Sequence, residues 1–130
     1  VSRHINNKGL STGFASATET AKSKAGDCSE HAVLLVAMLR SAGIPARGAT
    51  GLVYVEGYQG APHAFGWHMW TQALVDGVWV DLDATLPRAY DAAHLLTATT
   101  PLDGATMDRD ISGLLQMMGD LDITIREEGF

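Results

Sequence analysis

The chain has 130 residues and a formal net charge of −6, the size of one domain that can bury a core without disulfide staples. Its acidic balance and the lack of a Lys/Arg cluster argue against nucleic acid or an anionic membrane as partner. No apolar run approaches the ~20 residues of a membrane span. The one cysteine, Cys28, permits no internal bridge and so says nothing about an oxidising compartment. The chain starts at Val1 without the charged-then-apolar layout of a signal peptide. It is expected to be a single domain over residues 1–130, cut from a longer protein, with localisation and oligomeric state left unknown.

Residues 1–13 are polar and contain Gly and Asn, which predicts an irregular lead-in. Ser16 to Lys24 predicts a short polar helix, with Glu19 early and Lys22 and Lys24 late, the order the helix dipole favours. Gly26-Asp27-Cys28-Ser29-Glu30-His31-Ala32 then writes the start of a second helix. Asp27 can accept an N–H of the first turn and Glu30 can reach back to close a capping box, so the helix starts at Cys28. From Ala32 to Leu39 every residue is apolar, which suits a central helix with protein on most sides. Gly43 and Pro45 end it near Ala42.

That address has a chemical consequence for Cys28. Unpaired N–H groups and the positive end of the helix dipole favour an anion at the first turn, and a thiolate is the nucleophilic form of cysteine. Asp27 opposes this as a neighbouring negative charge, so the site calls for a cation nearby, most naturally an imidazolium. The plain alternative is a small buried apolar cysteine.

Ala46 to Glu56 reads as a strand, with Gly48 and Gly51 pointing to a bulge or a close backbone approach. Gly57 to Gly66 reads as a Gly/Pro loop entering the strand of His68, and so as a candidate wall of a cleft. Asp76-Gly77 between Val75 and Val78 is the signal for a two-residue type I′ hairpin turn. If Val75 faces Val78, partners have numbers summing to 153, which sets Trp70 opposite Asp83 and His68 opposite Thr85.

Alternation then puts His68, Trp70, Gln72 and Leu74 on one face with Trp79, Asp81, Asp83 and Thr85. The opposite face, Trp67, Met69, Thr71, Ala73, Val75, Val78, Val80, Leu82 and Ala84, is the expected core side. His68 and Asp83 become diagonal neighbours, ~7 to 8 Å apart at the backbone and within side-chain reach; Asp81 lies too far along the ladder to be first choice. Leu86-Pro87-Arg88 breaks the strand, and His94 to Thr99 returns as another. Met107, Ile111, Leu114, Leu115 and Met118 predict an amphipathic helix, and Leu121, Ile123 and Ile125 a last half-buried strand. Helices first and a mostly antiparallel set of strands after them make the class α+β.

Cys28 at a helix start, His68 on a strand and Asp83 on the adjoining strand are the parts of a cysteine acyl-transfer triad. The Cys28 sulfur would attack an amide carbonyl, His68 would pair with the thiolate and then protonate the leaving amine, and Asp83 would orient the ring and stabilise its cation. The oxyanion would meet the Cys28 backbone N–H and a second donor, for which the Trp70 indole and the Gln72 amide are candidates. Water as second nucleophile gives hydrolysis and a lysine amine gives a cross-link.

These residues carry a family resemblance. The stretch Gly26 to Ala32, the following Leu34 to Arg47, and His68 to Thr85 (His-Met-Trp-Thr-Gln-Ala-Leu-Val-Asp-Gly-Val-Trp-Val-Asp-Leu-Asp-Ala-Thr) together resemble the core of the bacterial transglutaminase-like superfamily. The resemblance implies a papain-like α+β fold, a Cys-bearing central helix packed on a mostly antiparallel sheet bearing His and Asp, and Cys28, His68 and Asp83 as the triad. Ala84 stands where the family usually has proline, and Met69 where it usually has a small residue. The C-terminal third is similar to the tail of such domains in larger bacterial proteins.

The superfamily spans cross-linkers, proteases, amidases and inactive relatives. The expectation is a cysteine hydrolase or acyltransferase acting on a peptide or protein amide, peptidase-like or amidase-like, without a cofactor. The alternative is a catalytically inactive domain that binds a peptide or protein partner in the same cleft. A metal held by Cys28, His31, His63 and His68 is the lesser possibility, because no paired ligand spacing supports it, and no metal is assigned. His4, His63 and His94 read as solvated or locally bonded, Trp67, Trp70 and Trp79 as packing residues, and Asp81 and the later aspartates as solvated faces or caps.

Overall fold

The computed structural model describes residues 1–9, 15–58, 60–86, 90–103 and 123. Helix α1 covers Ala17–Ser23 and α2 covers Cys28–Ser41; strands β1 (Ala46–Tyr58), β2 (Ala61–Val75), β3 (Val78–Leu82) and β4 (His94–Thr100) follow. The strands form one sheet in the order β3-β2-β1-β4, and its three pairings are antiparallel. The result is the α+β class expected, with α2 lying on β2 and β1 and α1 packed on α2. The predicted helix from Met107 to Met118 and the predicted strand from Leu121 lie outside the described residues, Ile123 apart.

Both helices begin as their sequences dictate. Ser16 caps α1 and shares a capping box with Glu19, and Asp27 caps α2 and shares one with Glu30. Gly43, at φ +80°, takes the left-handed position after α2. Arg40 fastens that end of the helix, donating from Nε to the Ala46 carbonyl at 3.0 Å and from Nη2 to the Pro101 carbonyl. The sheet's closest covering is the first half of α2: Ala32, Leu34 and Val36 are buried with Met69 and Ala73, and Thr71 Oγ1 donates to the Ala32 carbonyl at 3.3 Å.

The β2–β3 hairpin has the register computed from its turn. Val75 pairs with Val78 and Thr71 with Leu82, and Asp76 and Gly77 have the positive φ angles of +50° and +81° that a type I′ turn requires. Burial departs from expectation on both faces. Met69, Thr71 and Ala73 do lie under α2, but Val75, Val78 and Val80 are exposed. Val75 and Val78 lie beyond Ala73, the last residue of β2 paired with β1, and Val80 lies on the edge strand β3. Conversely His68, Trp70 and Gln72 are buried, with Tyr90 and His94 from beyond the hairpin against Trp70 and His94 also against His68.

Two further segments differ from their sequence readings. Gly57 to Gly66 is not a loop walling a cleft; β1 and β2 continue as a long hairpin to the pair Tyr58 and Ala61. Its outer part is held by side chains, with His63 stacked on Tyr54 and joined to its hydroxyl at 2.5 Å, and Phe65 edge-on to the same ring. The N-terminal segment, in turn, is more than a lead-in. Asn7 bridges Ala25, its carbonyl accepts the Gly26 N–H at 3.1 Å, and Ile5 is buried. Ser2 Oγ and Lys8 Nζ donate to the carbonyls of Ala84 (2.5 Å) and Thr85 (3.0 Å), so this segment fastens both the approach to Cys28 and the chain leaving Asp83.

The β1–β4 ladder contains the irregularity that the glycines of β1 foretold, a register shift between Thr50 and Gly51. A Cβ on Gly51 would lie 2.0 Å from the Leu95 carbonyl oxygen, so glycine there lets β4 approach. Gly51→Ala is expected to destabilise the fold by about 3 kcal/mol, read as a lower midpoint in urea with an unchanged slope. Alanine tolerated at no cost would mean that β4 can withdraw freely.

Candidate active site

Three elements converge on the buried end of the sheet. Cys28 is the first residue of α2 and is partly exposed. His68 sits in β2 opposite Gly51, and Asp83 follows directly on β3. The His68 Nε2 and Asp83 Oδ2 atoms are 2.7 Å apart, with side chains 5% and 1% exposed. A side-chain hydrogen bond also joins His68 to Cys28. The three residues picked from sequence are thus brought together in the order thiol, imidazole, carboxylate.

Asp83 is a saturated carboxylate. Oδ1 accepts the backbone N–H of Thr85 at 2.8 Å and of Leu86 at 3.3 Å, an arrangement that bends the chain away from the sheet and ends β3. Oδ2 accepts from His68 and also from His94 Nε2 at 3.0 Å. Burial alone would raise its pKa, but these hydrogen bonds and the charge of His68 hold the carboxyl well below the usual range.

The imidazole shows the complementary effect. Burial acts to lower His68, and the hydrogen bonds and charges of Asp83 and then Cys28 outweigh it, raising it from 6.5 to about 9. Its ring stacks on Trp70 at 6.1 Å between centroids and 24° between planes, which keeps its orientation and offers a π face to the cation.

The two side chains offered by sequence as oxyanion donors are engaged elsewhere. Trp70 Nε1 donates to Asp81 Oδ1 at 2.7 Å, and Gln72 Nε2 donates to the same oxygen at 2.9 Å. Gln72 Oε1 accepts from Arg47 Nε at 2.9 Å, and the Arg47 guanidinium lies 3.9 Å over Trp79. Asp81, read from sequence as a solvated face, is therefore the anchor of a polar network beneath the site.

The lesser metal grouping does not assemble. His63 pairs opposite Glu56 while His68 pairs opposite Gly51, a separation of five residues or ~17 Å along the strand. His31 is wholly buried and bonds through Nδ1 to the Asp27 carbonyl at 2.6 Å; burial lowers its pKa, favouring the neutral ring. Another group, His68, Asp83 and His94, does place one donor atom each within 4.8 Å. Its atoms are those of the two Nε2–H···Oδ2 hydrogen bonds, so a divalent ion there would have to displace both ring protons.

His94 is the residue that sequence reasoning passed over. Its side chain is fully buried, with Tyr90 at 4.4 Å and Trp70 at 5.3 Å between ring centroids. Its only local sign was its place at the start of a strand, and its position depends on the register shift at Gly51.

Comparison with known proteins agrees with this arrangement. The Transglutaminase-like superfamily profile matches residues 2–84, and the chain belongs to that superfamily. A crystal structure of a candidate cysteine protease from Cytophaga hutchinsonii is similar, with a TM-score of 0.60 and 28% sequence identity over 80% of this chain. The match covers 35% of that protein, so this chain spans about a third of its length. No curated protein matches the sequence. Fold and family together place the chain among papain-like, cysteine protease-like domains.

Proposed function

We propose that this domain is a cysteine-dependent acyltransferase that hydrolyses amide bonds of a peptide or protein through Cys28, His68 and Asp83. The observation that carries the reading is the buried His68–Asp83 pair at 2.7 Å, with the Cys28 side chain hydrogen-bonded to the same histidine. A neutral histidine packed for structure alone needs neither a buried carboxylate nor a thiol partner.

In the proposed reaction the Cys28 thiolate attacks the amide carbonyl carbon, and the electron pair of the C=O bond moves to oxygen. The backbone N–H of Cys28, which has no intrahelical acceptor at the first helical position, lies at the helix end where that oxyanion would gather. The tetrahedral intermediate collapses as His68 passes its Nδ1 proton to the leaving amine nitrogen and the C–N bond breaks. A thioester on Cys28 remains. Water attacks it, His68 takes the proton, the C–S bond breaks, and the acid leaves with the thiolate–imidazolium pair restored. Asp83 stays ionised throughout and stabilises the ring each time it is cationic. Hydrolysis is preferred over cross-linking because the similar Cytophaga protein is described as a cysteine protease.

Trapping the covalent intermediate tests this directly. With p-nitrophenyl acetate the native chain should gain one acetyl group by intact mass, located on Cys28, and Cys28→Ala should gain none there. His68→Ala should acylate slowly and release acetate more slowly still. A native thiol that reacts with a small disulfide reagent yet forms no thioester would overturn the enzyme reading and leave the cleft as a binding surface for a peptide.

A further inference from the structure

The carboxylate of the site serves two imidazoles rather than one. His68 and His94 both approach Asp83 Oδ2, at 2.7 and 3.0 Å, and an ionised carboxylate can only accept, so each ring presents an N–H at Nε2. We infer that His94 is a positioning residue: its Nε2–H fixes the Asp83 carboxylate so that His68 is held with Nδ1 turned to Cys28.

The surroundings of His94 are built for that task. The ring is clamped between Tyr90 and Trp70. Trp70 cannot turn away, because its indole is bonded to Asp81, and it stacks on His68 at the same time. The strand that carries His94 is seated by the Gly51 contact, and Gly51 is the cross-strand partner of His68 itself. One glycine thus sets the distance between the two histidines, whose ring centroids are 5.7 Å apart. His94 lies beyond residue 84, where the superfamily match stops, at the start of β4.

The consequence for reactivity rests on the proposed function; the hydrogen-bond geometry does not. Two readouts keep them apart. The first follows the ring N–H protons of the native chain by 15N-resolved NMR. His68 and His94 should each give a slowly exchanging Nε2–H signal, and His94→Leu should lose the His68 signal to exchange while the rest of the spectrum stays folded. Gln places an amide N–H where the imidazole has Nε2–H, so His94→Gln should retain it. The second readout is iodoacetamide alkylation of Cys28 from pH 5 to 9. His94→Leu should lose about tenfold in rate at pH 6, and His94→Gln should recover most of it.

A His68 Nε2–H signal indifferent to His94→Leu, or His94→Gln as damaging as His94→Leu, would overturn the inference. If the native thiol shows no His68-dependent alkylation but the NMR pattern appears as expected, the acyl-transfer reading fails and the positioning role of His94 stands.

Discussion

In Asp83→Asn, alkylation of Cys28 at pH 6 is expected to fall about a hundredfold, and turnover of an amide substrate about a thousandfold. The substitution keeps the size of the side chain and removes its charge. His68 is raised to about 9 by Asp83 and Cys28 against the opposing effect of burial. Without the carboxylate, burial acts on the ring with less to oppose it, and the sulfur loses its cationic partner. His68→Ala should give the same alkylation profile, since both variants break one pair. A native chain whose alkylation rises only above pH 8, or an Asp83→Asn variant that matches it, would remove the thiolate–imidazolium pair from the account.

The same shifts give stability a pH dependence of definite sign. His68 has a higher pKa folded than its ordinary 6.5, so its contribution is complete below about 6.5 and is lost as pH rises through about 9. Asp83 has a lowered pKa, so its contribution is present above its ordinary 3.8 and is lost as pH falls below that value. Urea midpoints should therefore be highest between about pH 4 and 6.5, as far as this pair contributes. His68→Ala should flatten the alkaline limb.

Glu30→Ala is expected to destabilise the fold by about 3 kcal/mol, seen as a lower urea midpoint. The Glu30 carboxylate is wholly buried. Oε1 accepts the Ala15 N–H at 2.8 Å, and Oε2 accepts the Asp27 N–H at 3.0 Å and the Ser29 hydroxyl at 3.2 Å. Truncation takes their acceptor from the Ala15 and Asp27 N–H groups, while the Ser29 hydroxyl keeps Asp27 Oδ1 at 2.9 Å, and it opens the capping box of the helix that starts at Cys28. Gly26 packs so closely on Glu30 that a Cβ would lie 2.3 Å from the Glu30 Cβ, so the chain cannot easily settle around a different side chain. Glu30→Gln keeps the shape and one acceptor and should cost less. If Glu30→Ala unfolds at the native midpoint, Glu30 is not what fastens the start of α2.

Cys28, His68 and Asp83 were legible from sequence because the devices that place them are local. Asp27 and Glu30 write the start of α2 within four residues, and Asp76-Gly77 sets the β2–β3 register, which carries His68 and Asp83 into reach of one another. Caps and two-residue turns depend on backbone geometry over a few bonds, so no distant contact is needed to read them. What the hairpin's alternation could not tell is which face is covered. Its valines, at the hairpin tip and on the edge strand, remain exposed, while His68, Trp70 and Gln72 on the other face are buried.

The rest was decided by tertiary structure. The commitment of Trp70 and Gln72 to Asp81 required knowing that all three share a closed interior, where an N–H seeks the nearest carboxylate. The arrival of His94 at Asp83 required the register of β4 on β1, with its shift at Gly51, and that register joins segments some 45 residues apart with no turn between them to dictate it. Sequence alone determined the family, the helix start that holds the thiol and the hairpin pairing that sets His68 beside Asp83. Only the folded sheet determined that the carboxylate behind that histidine is held from both sides, because that contact exists only once β4 is packed against the sheet.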